Sequence, residues 1–576
     1  MAARRLLLRR HRRPLHRPDR TGPGPRRLVG PGTRGGPPVT ETAPPLLPAP
    51  TAPPEPATSG RLLARAAFLT AVLTLAGALL GLLRDQAFAH VFGADTDTDA
   101  FLVAWTVPEV AATLLIEDGL AFVLVPAFSL ALVARGRRPG PDPVRALVAA
   151  TLPRLMLALA AGAAVLIAAA PAVVAVLAPG LPATGLAVDC TRLTATCVFS
   201  FGLTGYCSAA LRGHGRFLAP ASIYVAYNVG IIGLLLLLGR AWGVRAAAAG
   251  VALGGVLMVL VQLPALWRSW RQREAAVALP EPRASAHRAP RALRLALVAP
   301  VVVFALSRQT QVLIERFLAA PLPAGAISHL NYAQKVAQMP MVLSLMLCTV
   351  TFPVIARALA AGDTERARRR VESDLIVAGT IVLLGASVVV ACAPEIIQVL
   401  FQRGAFTLHD TDATADVMRV YALGLLGQTL VGVLARSYFS EARPLWYPAC
   451  AMLAGLAATA VAGALAVPVW GAPGIAAANA LGITLTALAL LWGSGRRRTA
   501  LSVRWVGGQL ARLVAAGLVA TGACRWGASL APSPLSALII GSLIAAVAFT
   551  VTAGLLRVRE FCLLFRPVTR KLWHAR

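Results

Sequence analysis

The chain is a succession of apolar runs, each near the length of a bilayer-spanning helix, separated by short polar connections. A helix needs about 20 residues to cross the hydrocarbon core. On that measure the runs predict spans at 64–83, 99–134, 144–177, 185–210, 217–239, 246–266, 294–318, 325–357, 374–401, 414–438, 445–468, 472–493, 508–530 and 534–556. The second is too long for one straight crossing, and Pro108, Gly119 and Pro126 predict that it is bent or broken. Segments of about ten residues with alternating polarity, the sign of a membrane barrel, do not occur. The predicted fold is an all-α polytopic membrane protein of about fourteen transmembrane helices.

The polar connections alternate in charge. ARGRRPGPDPVR, LRGHGRF, the long WRSWRQRE to RALR loop, ARALAAGDTERARRR, SEARPL and GRRRTALSVR are basic, as are both chain ends. FGADTDTD, APGLPATG, LAAPLPAGA, FTLHDTDATAD, PVWGAPG and ASLAPSPLS are neutral or acidic, and only GRAWGVR, with Arg240 and Arg245, departs from the pattern. Cytoplasmic loops carry the excess of Lys and Arg. The basic side is therefore cytoplasmic, both termini lie there, and the expected location is the cytoplasmic (inner) membrane.

Two stretches echo each other. VPAFSLALVARG from Val125 is matched by FPVIARALAAGD at Phe352, and some forty residues later APAVVAVLAPG from Ala170 is matched by APEIIQVLFQRG from Ala393. An even number of helices separates the copies, so they keep one membrane orientation. That predicts two pseudo-symmetric six-helix lobes related by an axis along the membrane normal, plus two C-terminal helices, an arrangement typical of transporters. The expected organisation is a basic, Pro-rich cytoplasmic tail at 1–60, an N-terminal lobe at 61–270, a basic loop at 271–293, a C-terminal lobe at 294–495, and the last two helices with a cytoplasmic end at 496–576. The first 60 residues have no apolar periodicity and no signal-peptide pattern, so they are read as disordered.

Composition narrows the function. The chain is 57% hydrophobic and 14% charged, which excludes an ordinary soluble enzyme. A net charge of +30, almost all arginine, is read as cytoplasmic anchoring, so no nucleic acid is expected. The eight cysteines form no CxxC pair or His/Cys cluster, so neither zinc nor a disulfide framework is indicated. No GxxxxGK[ST] loop, metal-ligand spacing or nucleophile elbow occurs. No catalytic residue, metal or cofactor is expected.

Charge inside apolar helices is costly and tends to face a cavity or a partner. It is concentrated in the first two helices of each half: Arg84, Asp85, Asp99, Glu109, Glu117 and Asp118 in one, Arg308, Glu315, Arg316 and Lys335 in the other. Arg84, Arg308 and Lys335 would suit an anionic head group, because guanidinium forks phosphate oxygens and Lys supplies a point charge. Asp85, Asp99, Glu315 and Arg316 are read as structural or gating charges. Pairing with a neighbour, or snorkelling to the interface, is the alternative for each.

The block LRDQAFAHVFGADTDTDAFLVAWTVPEV from Leu83, with the blocks from Gln311 and Glu395, resembles the MurJ/MviN lipid II flippases of the multidrug/oligosaccharidyl-lipid/polysaccharide exporter superfamily. The resemblance runs from about residue 64 to 556. It implies fourteen helices in two lobes around a cationic cavity. The implied substrate is lipid II, an undecaprenyl diphosphate bearing a disaccharide-peptide, moved by alternating access driven by membrane potential or an ion gradient. It also implies contact with membrane lipids and with cell-wall synthesis proteins, and a lipid-tail groove along the last two helices. Arg84 and Asp85 match the family's RD pair, and Asp99 matches the Asp of its TDAF element. Lys335 stands where the family usually has Arg. Ala78, Ala112 and Thr113 stand where it carries further arginines, with Arg308 a partial substitute. Those departures leave two other readings open: export of another polyprenyl-linked glycan, and a non-transporting envelope scaffold.

Overall fold

A computed structural model describes residues 57–117, 119–137, 142–271, 291–349, 363–439, 445–495 and 501–558. Residues 60–576 form one compact unit, and of residues 1–59 only 57–59 are described. Residues 1–56 of the expected cytoplasmic tail, the basic loop at 272–290, the FPVIARALAAGD copy up to residue 362 and Asp118 lie outside the described residues.

Among the described residues every regular element is a helix. The N-terminal half contains α1 (Ala57–Phe92), α2 (Thr96–Ala112), a π-turn (Thr113–Glu117), α3 (Gly119–Arg137), α4 (Pro143–Ala168) and α5 (Ala170–Leu177). It continues with α6 (Thr184–Ala195), α7 (Cys197–Gly213), α8 (Leu218–Trp242) and α9 (Val244–Arg271). The C-terminal half contains α10 (Arg291–Ala319), α11 (Ala326–Ala337), α12 (Met339–Thr349), α13 (Thr364–Ala391) and α14 (Ala393–Phe401). Next come α15 (Leu408–Leu423), α16 (Leu425–Phe439), α17 (Tyr447–Trp470) and α18 (Ala472–Ser494), and the chain closes with α19 (Val503–Ser529) and α20 (Pro534–Leu555).

Both halves follow one sequence of shapes: an unbroken helix, a broken one, a long helix with a short continuation, another broken one, then two unbroken helices. The short continuations α5 and α14 both begin Ala-Pro, with the Pro in the first turn, where its missing N–H costs nothing. The connection between the last two helices of each half also repeats. Gly243 (φ 60°, ψ −145°) follows Trp242, and Gly471 (φ 58°, ψ −135°) follows Trp470. Side-chain-bearing residues rarely adopt that backbone.

Eleven helices are long and apolar enough to cross a membrane, and the bent pair α15–α16 makes twelve. The expected count of fourteen is not reached on that test among the described residues. The two spans left over are α10, which carries Arg308, Glu315 and Arg316, and the pair α11–α12, whose expected continuation to residue 357 lies outside the described residues.

The break expected between Pro108 and Pro126 is the π-turn, while both prolines lie inside helices. Pro108 lacks the N–H that would satisfy the Ala104 carbonyl one turn back. Thr194 Oγ1 of α6 donates to that carbonyl instead, at 3.1 Å. Helices within a lobe approach closely through small residues. A Cβ on Gly230 of α8 would stand 2.8 Å from Gly254 Cα of α9, and one on Gly455 of α17 would stand 2.7 Å from the Gly482 carbonyl of α18.

Candidate functional site

Where the two lobes face each other, their charges converge. Arg84 and Asp85 end the apolar part of α1, and Lys335 lies on α11. Arg84 Nε and Nη2 donate to Asp85 Oδ1 at 3.0 and 2.8 Å, while Lys335 Nζ lies 3.1 Å from Asp85 Oδ2. One carboxylate therefore holds a cation from each lobe. Arg84 Nη1 also donates to Asn228 Oδ1 of α8 at 3.1 Å. Asn228 is fixed in turn, its Nδ2 donating to the carbonyls of Gly77 and Tyr224. The Arg84 guanidinium lies 4.5 Å from the ring centroid of Trp105, and Lys335 Nζ lies 5.9 Å from it, so an aromatic face supports both cations.

Arg84, Asp85, Trp105 and Lys335 line a cavity with Phe88, Phe101, Asn331 and Tyr332 that their own side chains nearly fill. The rest of its wall is aromatic and aliphatic, Leu102 and Ile231 included, so each charge depends on its partner. Breaking such a buried pair typically costs about 3–5 kcal/mol, because the remaining charge is left uncompensated.

Arg308 is not brought into this cluster. It is exposed on α10 and is not among the residues lining the cavity. Its neighbour Gln309 reaches across instead, donating from Nε2 to the Glu109 carbonyl at 3.3 Å and to Thr113 Oγ1. Thr113, one of the positions where a cation is replaced, therefore makes a contact between lobes. Ala78 is exposed.

Asp99 forms a second contact between lobes. It lies in the first turn of α2, and its carboxylate caps α11: Oδ2 accepts from Gly325 N–H at 2.9 Å, and Oδ1 from Ser328 N–H at 2.8 Å and Ser328 Oγ at 2.5 Å. A side-chain acceptor at the first turn satisfies donors that have no partner within their own helix. Gly325 permits the approach: its φ is +89°, and a Cβ there would stand 2.6 Å from the Ala94 carbonyl. At the same end, Ala405 N–H donates to the His90 carbonyl at 2.9 Å, and His329 Nε2 lies 3.2 Å from Asp410 Oδ1.

Glu315 and Arg316 lie inside the C-terminal lobe, both buried. Glu315 accepts from Tyr421 OH at 2.7 Å and from Asn479 Nδ2. Arg316 does not turn to its sequence neighbour but donates to the Ile327 carbonyl and to Asn331 Oδ1, both at 3.3 Å. Arg316 thereby braces the cavity wall from behind. Of the other acidic residues in the N-terminal half, Glu117 accepts from Tyr224 OH at 2.7 Å, and Glu109 contributes its backbone carbonyl to Gln309.

Trp105, Asn228, Asn331 and Tyr332 are absent from the residues singled out by charge. They are neutral, and nothing in an apolar helix marks them until the partner helix is in place.

The chain is similar to known proteins over most of its length. A family model described as "Lipid II flippase MurJ" matches residues 88–546. The lipid II flippase MurJ of Burkholderia cenocepacia is 29% identical over 470 residues, covering 80% of this chain and 89% of that protein. The probable lipid II flippase MurJ of Vibrio cholerae is 26% identical over 493 residues, covering 81% and 90%. Among solved structures, a lipid II flippase MurJ in an inward closed conformation matches with a TM-score of 0.66 at 17% identity, over 87% of this chain and 100% of that one. An inward-facing MATE family multidrug resistance transporter of the MOP superfamily matches with a TM-score of 0.59 at 15% identity, over 77% and 99%.

Two helical lobes of repeated design, meeting over a cationic cavity on a fold shared with exporters, define a multi-pass membrane transporter rather than an enzyme. Within that class the family match covers well over half of the sequence: the chain belongs to the MurJ lipid II flippase family.

Proposed function

We propose that this protein flips lipid II, the undecaprenyl-diphosphate disaccharide-peptide of peptidoglycan synthesis, across the cytoplasmic membrane by alternating access. The observation that carries the reading is Asp85 held between Arg84 of one lobe and Lys335 of the other. With no substrate bound, the carboxylate supplies the negative charge that the diphosphate would bring. An entering diphosphate can take over both cations, relieving the bond that ties the lobes together. Asn331 favours the same exchange: its Nδ2 is buried without a hydrogen-bond partner among the described residues, a donor free for an incoming acceptor.

The basic loops orient the molecule with both termini in the cytoplasm. The Asp99 cap then lies at the outer end and closes that side, while Gln309, Glu109 and Thr113 meet towards the inner side. Arg308, exposed beside Gln309, would meet the head group before the central pair does. The cavity must widen to admit a disaccharide-peptide, so the lobes part at the inner end first. The polyprenyl tail stays in lipid, along a groove that includes α19 and α20. Membrane potential or an ion gradient supplies the direction. Membrane lipids and cell-wall synthesis proteins are the expected partners.

Ala78, Ala112 and Thr113 favour a second reading, in which the same cavity carries a different polyprenyl-diphosphate glycan. Purified protein in vesicles containing lipid II separates the two. Exposure of lipid II to an impermeant lipid II-degrading enzyme rises with the wild type if lipid II is the substrate. It stays at the protein-free level if another glycan is carried.

A further inference from the structure

Two cysteines from distant parts of the sequence meet where α13 turns into α14 and α19 runs past. Cys392 Sγ and Cys524 Sγ are 3.5 Å apart, and both residues are fully buried. The helices carrying them are tied along their length. At the foot, Ser502 N–H donates to Glu372 Oε1 at 2.7 Å and Arg368 Nη1 to Ser502 Oγ at 3.0 Å. Midway, Ser387 Oγ donates to the Gly517 carbonyl at 2.9 Å. Beside the sulfurs, Arg525 Nη1 donates to the Ala391 carbonyl at 3.4 Å and pairs with Glu395 at 3.3 Å. A third helix covers the pair: a Cβ on Gly541 of α20 would stand 3.2 Å from each sulfur.

We propose that Cys392 and Cys524 are an oxidative modification site that closes to a disulfide and ties α19 covalently to the C-terminal lobe. A disulfide needs the sulfurs about 2.05 Å apart, so they must approach by about 1.5 Å, within reach of side-chain rotation. Burial excludes a protein oxidoreductase and selects a small diffusible peroxide. One sulfur attacks the O–O bond, giving a sulfenic acid and one water, which takes the thiol proton. The second sulfur then attacks the sulfenyl sulfur and expels a second water. Two thiols and one hydrogen peroxide thus give one disulfide and two waters. The sulfurs are oxidised, and the peroxide is reduced. The tie joins the last two helices to the lobe that carries Lys335, and it would restrict sliding of α19 on α13.

The full-length protein in detergent, treated with hydrogen peroxide, tests the proposal. Free thiols are alkylated under denaturing conditions and the digest is read by mass spectrometry. The peptides carrying Cys392 and Cys524 should leave the alkylated pool together. They should appear as one linked species, lighter by two hydrogens, that dithiothreitol reverses. Cys524→Ser should abolish that species and leave Cys392 alkylatable, although the wild type alone decides the matter. Cys450, which is exposed, reports that the oxidant acted. Loss of free Cys450 while Cys392 and Cys524 both remain alkylatable would overturn the proposal, as would a link from either one to a different cysteine.

Discussion

Asp85 is the residue on which the central geometry turns. It bonds Arg84 within α1 and Lys335 across the lobes, so the three act as one unit. A charge-assisted hydrogen bond is worth roughly 1.5–3 kcal/mol, or about one to two orders of magnitude in affinity. Arg84→Ala and Lys335→Ala are therefore expected to abolish transport while expression stays intact, as measured by lipid II exposure in vesicles. Full activity in both would remove the cavity from the mechanism. Lys335→Arg is expected to remain active, because a guanidinium keeps the charge and adds a fork towards Asp85. The convergence of Arg84, Asp85 and Lys335 was legible because charge stands out in apolar sequence. The position of Arg308 was not. Arg308 and Glu315 are seven residues apart, about two turns, and so share one face of α10. That face is open at Arg308 and covered at Glu315, a change along the helix that no residue pattern reports.

At the scale of the element, the repeat of shapes was only partly written in sequence similarity. The Ala-Pro openings of α5 and α14 were legible as an internal repeat. The shared Trp-Gly turn is also present in sequence, as WGVRAAAAGVALG from Trp242 and WGAPGIAAANALG from Trp470, but so Ala- and Gly-rich a match stands out only once the backbone at Gly243 and Gly471 is seen to agree. Gly471→Ala forces a side chain into a glycine-only conformation at a cost of about 1–3 kcal/mol. It should lower the melting temperature in detergent. Gly233→Ala, within α8 and with no neighbour that a Cβ would meet, should leave melting unchanged or raise it slightly. Equal effects from the two would show that the turn carries no strain. Two of the fourteen expected spans fall short in length or apolar content among the described residues. α10, one of the two spans that fail the membrane test, carries Arg308, Glu315 and Arg316. Charged residues dilute the apolar signal by which a span is recognised.

The whole molecule is two lobes held by contacts at several depths: the Asp99 cap at one end, Asp85 at the centre, and Gln309 with Thr113 beyond it. Alternating access requires the end contacts to break in turn. Asp99→Ala removes three hydrogen bonds to α11 and loosens the end that Gly325 closes. Loss of a helix cap costs about 0.5–2 kcal/mol, enough to move a closed–open equilibrium several-fold. A cysteine placed at Thr98, buried in the wild type, should then label faster from outside than in an otherwise identical protein with Asp99 intact. Unchanged labelling would show that other contacts hold that end. The Asp was legible as a candidate gating charge, but its partner was not. The donors are backbone N–H groups and a serine of the other lobe, which carry no charge to pair by sign.

Complementation tests the central claim most directly. A bacterium is depleted of its own lipid II flippase while it expresses this chain, with the protein verified in the membrane. Growth restored by the wild type and not by Arg84→Ala is the predicted result, and it would show that the cavity works without cations at Ala78, Ala112 and Thr113. Failure of the membrane-inserted wild type, in hosts that other members of the family rescue, would contradict lipid II as the substrate and turn attention to another polyprenyl-linked glycan.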